Sequence, residues 1–167
     1  MNCVITLTIL LKILLFDNRF DNFLIRGDFM NTLSELSSYV YLLGNDARIL
    51  HLYTEGENFM SIHELLQDLY EVCFEYYDTF AEMAIAHDES IPNPSDIVLS
   101  EGIDWNPTLG NAFNTNFIVN EVKEKGNKVI TMGDNLDGYE GFVKSEIDAF
   151  NAELDSIVNY KFGRIGK

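Results

Sequence analysis

Between Ser61 and Ala86 the chain runs for 26 residues without a proline or a glycine, and Ile62, Leu65, Leu66, Leu69, Val72, Cys73, Tyr76, Phe80 and Met83 recur at steps of mostly three and four. That spacing draws an apolar stripe on a 3.6-residue helix, and so long an uninterrupted helix has to lay its stripe against other elements to bury it. Ser61, with Glu64 three residues later, has the pattern of a capping box and predicts a helix starting at Ser61.

Upstream, Leu36, Val40, Leu43, Ala47, Leu50 and Leu52 predict another amphipathic helix over residues 33–53. Thr32 or Ser34 can cap it, Ser34 being favoured on intrinsic preference. It is broken by "TEGEN", where Gly56 can take the left-handed conformation that ends a helix. Downstream, "HDESIPNPSDIVLSEGIDWNP" reads as a long connection with room for one short helix over "PSDIVLSE". His87, followed by Asp88 and Glu89, reads there as a solvated helix end.

A third helix is expected from about Thr108 to Thr131, although Gly110 and Gly126 lower its propensity. After the turn "MGDNLDG", the residues Phe142, Val143, Ile147, Phe150, Leu154, Ile157 and Val158 predict a fourth helix reaching Phe162. Lys144, Glu146, Asp148, Glu153 and Asp155 form its opposite face. No segment alternates as a strand. Two helices, a long connection and two more helices make an all-α chain, read as a four-helix bundle with a long crossover connection.

The 167 residues are one domain's worth, and the hydrophobic content of 47% is too high for a disordered protein. A net charge of −16 repels nucleic-acid phosphates and suits a cationic partner, so direct DNA binding is not expected. Cys3 and Cys73 form no metal or disulfide motif, which fits a reducing, cytoplasmic setting. The apolar run in "NCVITLTILLKILLF" is about fourteen residues long and holds Lys12, short of the roughly twenty that span a membrane. No membrane partner is expected. Met30 opens the first amphipathic segment, so residues 1–29 read as an N-terminal extension, consistent with a misassigned start, ahead of a helical domain over 30–167.

Two of the chain's three histidines, His51 and His63, flank the Gly56 turn, and Asp78 and Glu82 are four residues apart on one helical face. Imidazoles and carboxylates together suit iron. His63 and Asp78 are fifteen residues apart, or ~22 Å along a helix, too far to wrap a single ion. A two-fold related, antiparallel copy brings the start of one helix to the end of the other and makes two equivalent composite sites.

"HLYTEGENFMSIH" and the following "YYDTFAEMA" resemble the signature of the Dps-like ferritins, the DNA-protection-during-starvation proteins. The similarity covers residues 33–87 and lies in the histidine spacing, Gly56, Asn58, Phe59, Asp78 and Glu82. The resemblance implies a ferritin-like bundle in a dodecamer built from two-fold dimers. Such a shell oxidises Fe²⁺ at intersubunit sites, often with peroxide, and stores the Fe³⁺ mineral. His51, His63, Asp78 and Glu82 stand at the family's ligand positions.

Two positions depart from the family. Gln67 stands where an acidic ligand is usual, and an amide is the weaker ligand. Leu52 stands where tryptophan is common, with Tyr53 as a partial replacement. The alternative is a noncatalytic ferritin-like structural or interaction protein, such as a phage-encoded one, with a degraded metal centre.

Overall fold

A computed structural model of the chain describes residues 32–93 and 113–165. The extension over 1–29, the "PSDIVLSE" segment and the expected start of the third helix at Thr108 lie outside the described residues. Among the described residues all regular elements are helices, and an isolated parallel bridge joins Thr54 to Phe113.

Helix α1 spans Leu33–Tyr53, as its apolar spacing predicts. Its cap is Thr32, whose side chain accepts the Glu35 N–H at 3.1 Å. Ser34, the stronger cap on intrinsic preference, sits inside the first turn because tertiary partners engage it. Its N–H donates to Glu89 at 2.8 Å and its hydroxyl to the Ser90 carbonyl at 2.7 Å. Glu89 is therefore no solvated charge: its carboxylate takes the Ser34 N–H and the Tyr139 hydroxyl, which itself receives the Leu33 N–H at 3.2 Å. An anion here complements the helix dipole. Burial, then the bond to Glu89, push the Tyr139 hydroxyl up to about 12.

Helix α2 spans Phe59–Ala86, two residues longer at its start than the Ser61–Glu64 pair predicts. Its cap is Asn58 at φ 66, two residues after Gly56 at φ 92. Asparagine and glycine tolerate this left-handed region, so the chain reverses before Phe59 and Ser61 falls within the first turn. α1 packs along α2, and at Gly44 the approach is close: a Cβ there would stand 3.0 Å from that of Cys73.

Helix α3 spans Thr115–Asp134, capped by the Asn114 side chain, which accepts the Phe117 N–H at 3.0 Å. Helix α4 spans Phe142–Asp155 and runs through a π-helical turn, Ser156–Lys161, into α5, Phe162–Ile165. The expected fourth helix has its predicted extent but not one uniform geometry. The wider turn shifts the phase of the stripe so that Ile157, Val158 and Phe162 are all buried. Val158 meets α3 at Gly126, where a Cβ would lie 2.5 Å from Val158 Cγ2. The glycine that lowers helix propensity is thus required by packing.

α1 packs on α2, α3 on α4, α1 on α3, and α2 on α4. Phe80 and Phe150 meet edge to face at 5.3 Å in the core, with Tyr76 against both. Burying each fully enclosed leucine, such as Leu36, Leu66 or Leu69, contributes ~1.5–3 kcal/mol. Between α1 and α3 a buried ion pair joins Lys125 Nζ to Asp46 at 2.5 Å, with Glu121 at 2.9 Å from the same amine. Two residues assigned to the apolar stripes leave it: Leu52 is 64% exposed and Phe142 69%. Both lie in terminal turns, where the stripe runs past its packing partner.

Candidate metal centre

His51 stands in the last turn of α1 and His63 in the second turn of α2, so the reversal at Gly56 and Asn58 folds one onto the other. Their rings stack with centroids 3.6 Å apart and planes at 24°. Phe59 stacks on His63 at 5.0 Å, and Tyr70 meets His51 edge-on at 5.4 Å.

His63 Nδ1 lies 3.2 Å from the His51 carbonyl oxygen. A carbonyl only accepts, so Nδ1 carries the proton and the lone pair is left on Nε2, the nitrogen free for a metal. His51 Nε2 is buried and has no hydrogen-bond partner. Burial first, then the neighbouring His63 and Arg48, hold the His51 imidazole below the ordinary histidine range, so it is neutral at physiological pH. A neutral imidazole with an unpaired buried nitrogen fits the donor that a cation such as iron needs.

Gln67, one turn beyond His63, is exposed, and its Nε2 donates to Glu71 Oε1 at 2.8 Å. Asp78 and Glu82 are also exposed. His63, Gln67, Asp78 and Glu82 fall within a ~100° sector of α2. Within one chain the carboxylates do not meet the histidines, and among the described residues no group of three or more His, Cys, Asp or Glu side chains can hold a metal.

Large apolar side chains are exposed at the ends of both helices. Phe59 (39% exposed) and Met60 begin α2, Ile85 lies near its end, and Leu52 and Tyr53 close α1. Asp68, beside Gln67 on α2, pairs with Lys161 at 3.3 Å.

Sequence reasoning missed Tyr70 and Phe59 as neighbours of the histidine pair. Tyr53, named as the replacement for a tryptophan, is 46% exposed, whereas Tyr70 is the tyrosine against His51. The available signal was positional: Tyr70 is seven residues beyond His63, two helical turns on the same face. No protein-family model and no curated protein matches this chain.

Proposed function

We propose that the chain is a subunit of a Dps-like ferritin, a dodecamer built from two-fold dimers that oxidises Fe²⁺ at sites shared between subunits and stores the Fe³⁺ product. The observation that carries this reading is the stacked pair of His51 and His63, with one buried and one oriented imidazole nitrogen. The closed circuit of helix contacts supports a ferritin-like four-helix bundle. The apolar residues at both ends of α2 support an antiparallel partner that brings Asp78 and Glu82 to the histidines.

In this reading His51 and His63 bind Fe²⁺ through neutral nitrogen, and the partner's carboxylates supply the negative charge that favours Fe³⁺. In this reading two Fe²⁺ ions would each give one electron to one hydrogen peroxide, which with two protons becomes two waters, and Glu82 is the carboxylate that would hold both irons. The net charge of −16 draws cations to the shell and disfavours DNA. Among the described residues no helix is long and apolar enough to cross a membrane, and the setting proposed is cytoplasmic.

The test is the rate of Fe²⁺ oxidation with peroxide, and separately with dioxygen, in the protein and in a His63→Ala, Asp78→Ala variant. Rapid oxidation with a soluble mineral, lost in the variant, is expected. Gln67 favours a second reading, a noncatalytic ferritin-like structural or interaction protein with a degraded centre, because it removes an anionic ligand. A closed shell with no rate above buffer would establish that second reading and overturn the first.

A further inference from the structure

We propose that Glu71 is a positioning residue that decides which end of the Gln67 amide is presented to a bound cation. The inference rests on the metal site proposed above and adds to it, as a weak ligand, the amide of Gln67, which the family resemblance sets at a ligand position.

Gln67 and Glu71 are four residues apart and share a face of α2. Their contact is Gln67 Nε2 to Glu71 Oε1 at 2.8 Å. A carboxylate only accepts hydrogen bonds, so the contact requires the NH₂ end of the amide. The amide is planar, and its carbonyl oxygen is therefore turned away from Glu71. His63 is one turn before Gln67 on the same face of α2. The oxygen is the end a cation can use.

The need for such a residue follows from the chemistry at position 67. The two oxygens of an aspartate are equivalent, so that ligand has no wrong end. An amide has one: its NH₂ is a donor with no lone pair to give and repels a metal ion. Glu71 removes that misorientation and polarises the amide, raising the electron density on its oxygen. Glu71 thus returns part of what the loss of a carboxylate at 67 takes away, without touching the metal.

The experiment is anaerobic titration of the full chain with Co²⁺ alone, whose visible absorption reports its coordination. Outer partners of metal ligands are worth about 10- to 100-fold in affinity, and the exposed setting of this one predicts about tenfold weakening in Glu71→Ala. Glu71→Gln should keep wild-type affinity, because its own amide oxygen can accept the same NH₂. A purely electrostatic role would instead weaken Glu71→Gln and Glu71→Ala alike. Glu71→Lys should weaken binding at least as much as Glu71→Ala, since an ammonium only donates and captures the Gln67 oxygen. In a Gln67→Asp background, Glu71→Ala should have no effect.

Equal affinity in wild type, Glu71→Ala and Glu71→Lys, with binding still lost in His63→Ala, overturns the positioning role and leaves the metal site standing. The same loss in the Gln67→Asp background also overturns it. Co²⁺ binding that ignores His63→Ala overturns both the site and the role of Glu71.

Discussion

The rings of His51 and His63 lie face to face, 3.6 Å between centroids, with the Nδ1–H of His63 donating to the carbonyl of His51 itself. One residue therefore packs against, and fixes the tautomer of, the other. Packing and ligation can be separated at this pair. His63→Phe keeps a flat ring in the stack and should leave the melting temperature close to wild type while abolishing Fe²⁺ oxidation. His63→Ala should lower both, measured by thermal denaturation and by iron-oxidation rate.

Composite sites make a mixing experiment decisive. Asp78 and Glu82 are exposed, so Asp78→Ala with Glu82→Ala should change stability by no more than ~0.5 kcal/mol. His63→Ala subunits and Asp78→Ala, Glu82→Ala subunits should each be inactive alone. Refolded together in equal amounts, they should regain about a quarter of the wild-type rate, because half the dimers are mixed and each mixed dimer holds one intact site of two. A mixture as inactive as its components would place all ligands in one chain.

His51 links stability to pH. Its folded imidazole is held below the ordinary range, by burial and then by His63 and Arg48, while the unfolded imidazole titrates within that range. On acidification the unfolded chain takes up the proton first, so stability falls as pH drops through the ordinary histidine range. His51→Phe, which does not titrate, should flatten that slope. Denaturant midpoints at about pH 7.5 and about pH 5.5 measure it.

Gly126 and Val158 form a matched pair across α3 and the π-helical turn. Gly126→Ala drives a methyl toward Val158 Cγ2, 2.5 Å from the new carbon, and should cost about 1–3 kcal/mol. Val158→Ala should recover part of that loss in the double variant, read from chemical denaturation as a non-additive pair.

Lys125 neutralises a buried carboxylate. Lys125→Met leaves Asp46, 4% exposed, without its lysine and should destabilise by about 3–5 kcal/mol. Adding Asp46→Leu should restore most of the loss, because the apolar pair has no charge to solvate.

The sequence by itself determined the elements that depend on neighbours along the chain. The stripe Leu36, Val40, Leu43, Ala47 and Leu50 marked α1, and the 26 residues free of glycine and proline marked α2 within two residues of its start. The spacing of the histidines marked a pair across the Gly56 turn, and the fifteen residues to Asp78 kept the carboxylates apart within one chain. These are consequences of helical period and rise, which are local.

Tertiary structure alone decided what depends on which helix faces which. Ser34 lost the cap to Thr32 because Glu89 and Ser90 reached it from another segment. Asp46 found Lys125 across 79 residues of sequence, and Gly126 proved to be the floor under Val158. The histidines stack, with His51 Nε2 enclosed and Tyr70 at its edge, because the reversal at Gly56 and Asn58 lays α2 back along α1. Periodicity records that a residue faces a neighbour, whereas the neighbour's identity, and the burial that tunes an imidazole, come from the packed arrangement of all the helices.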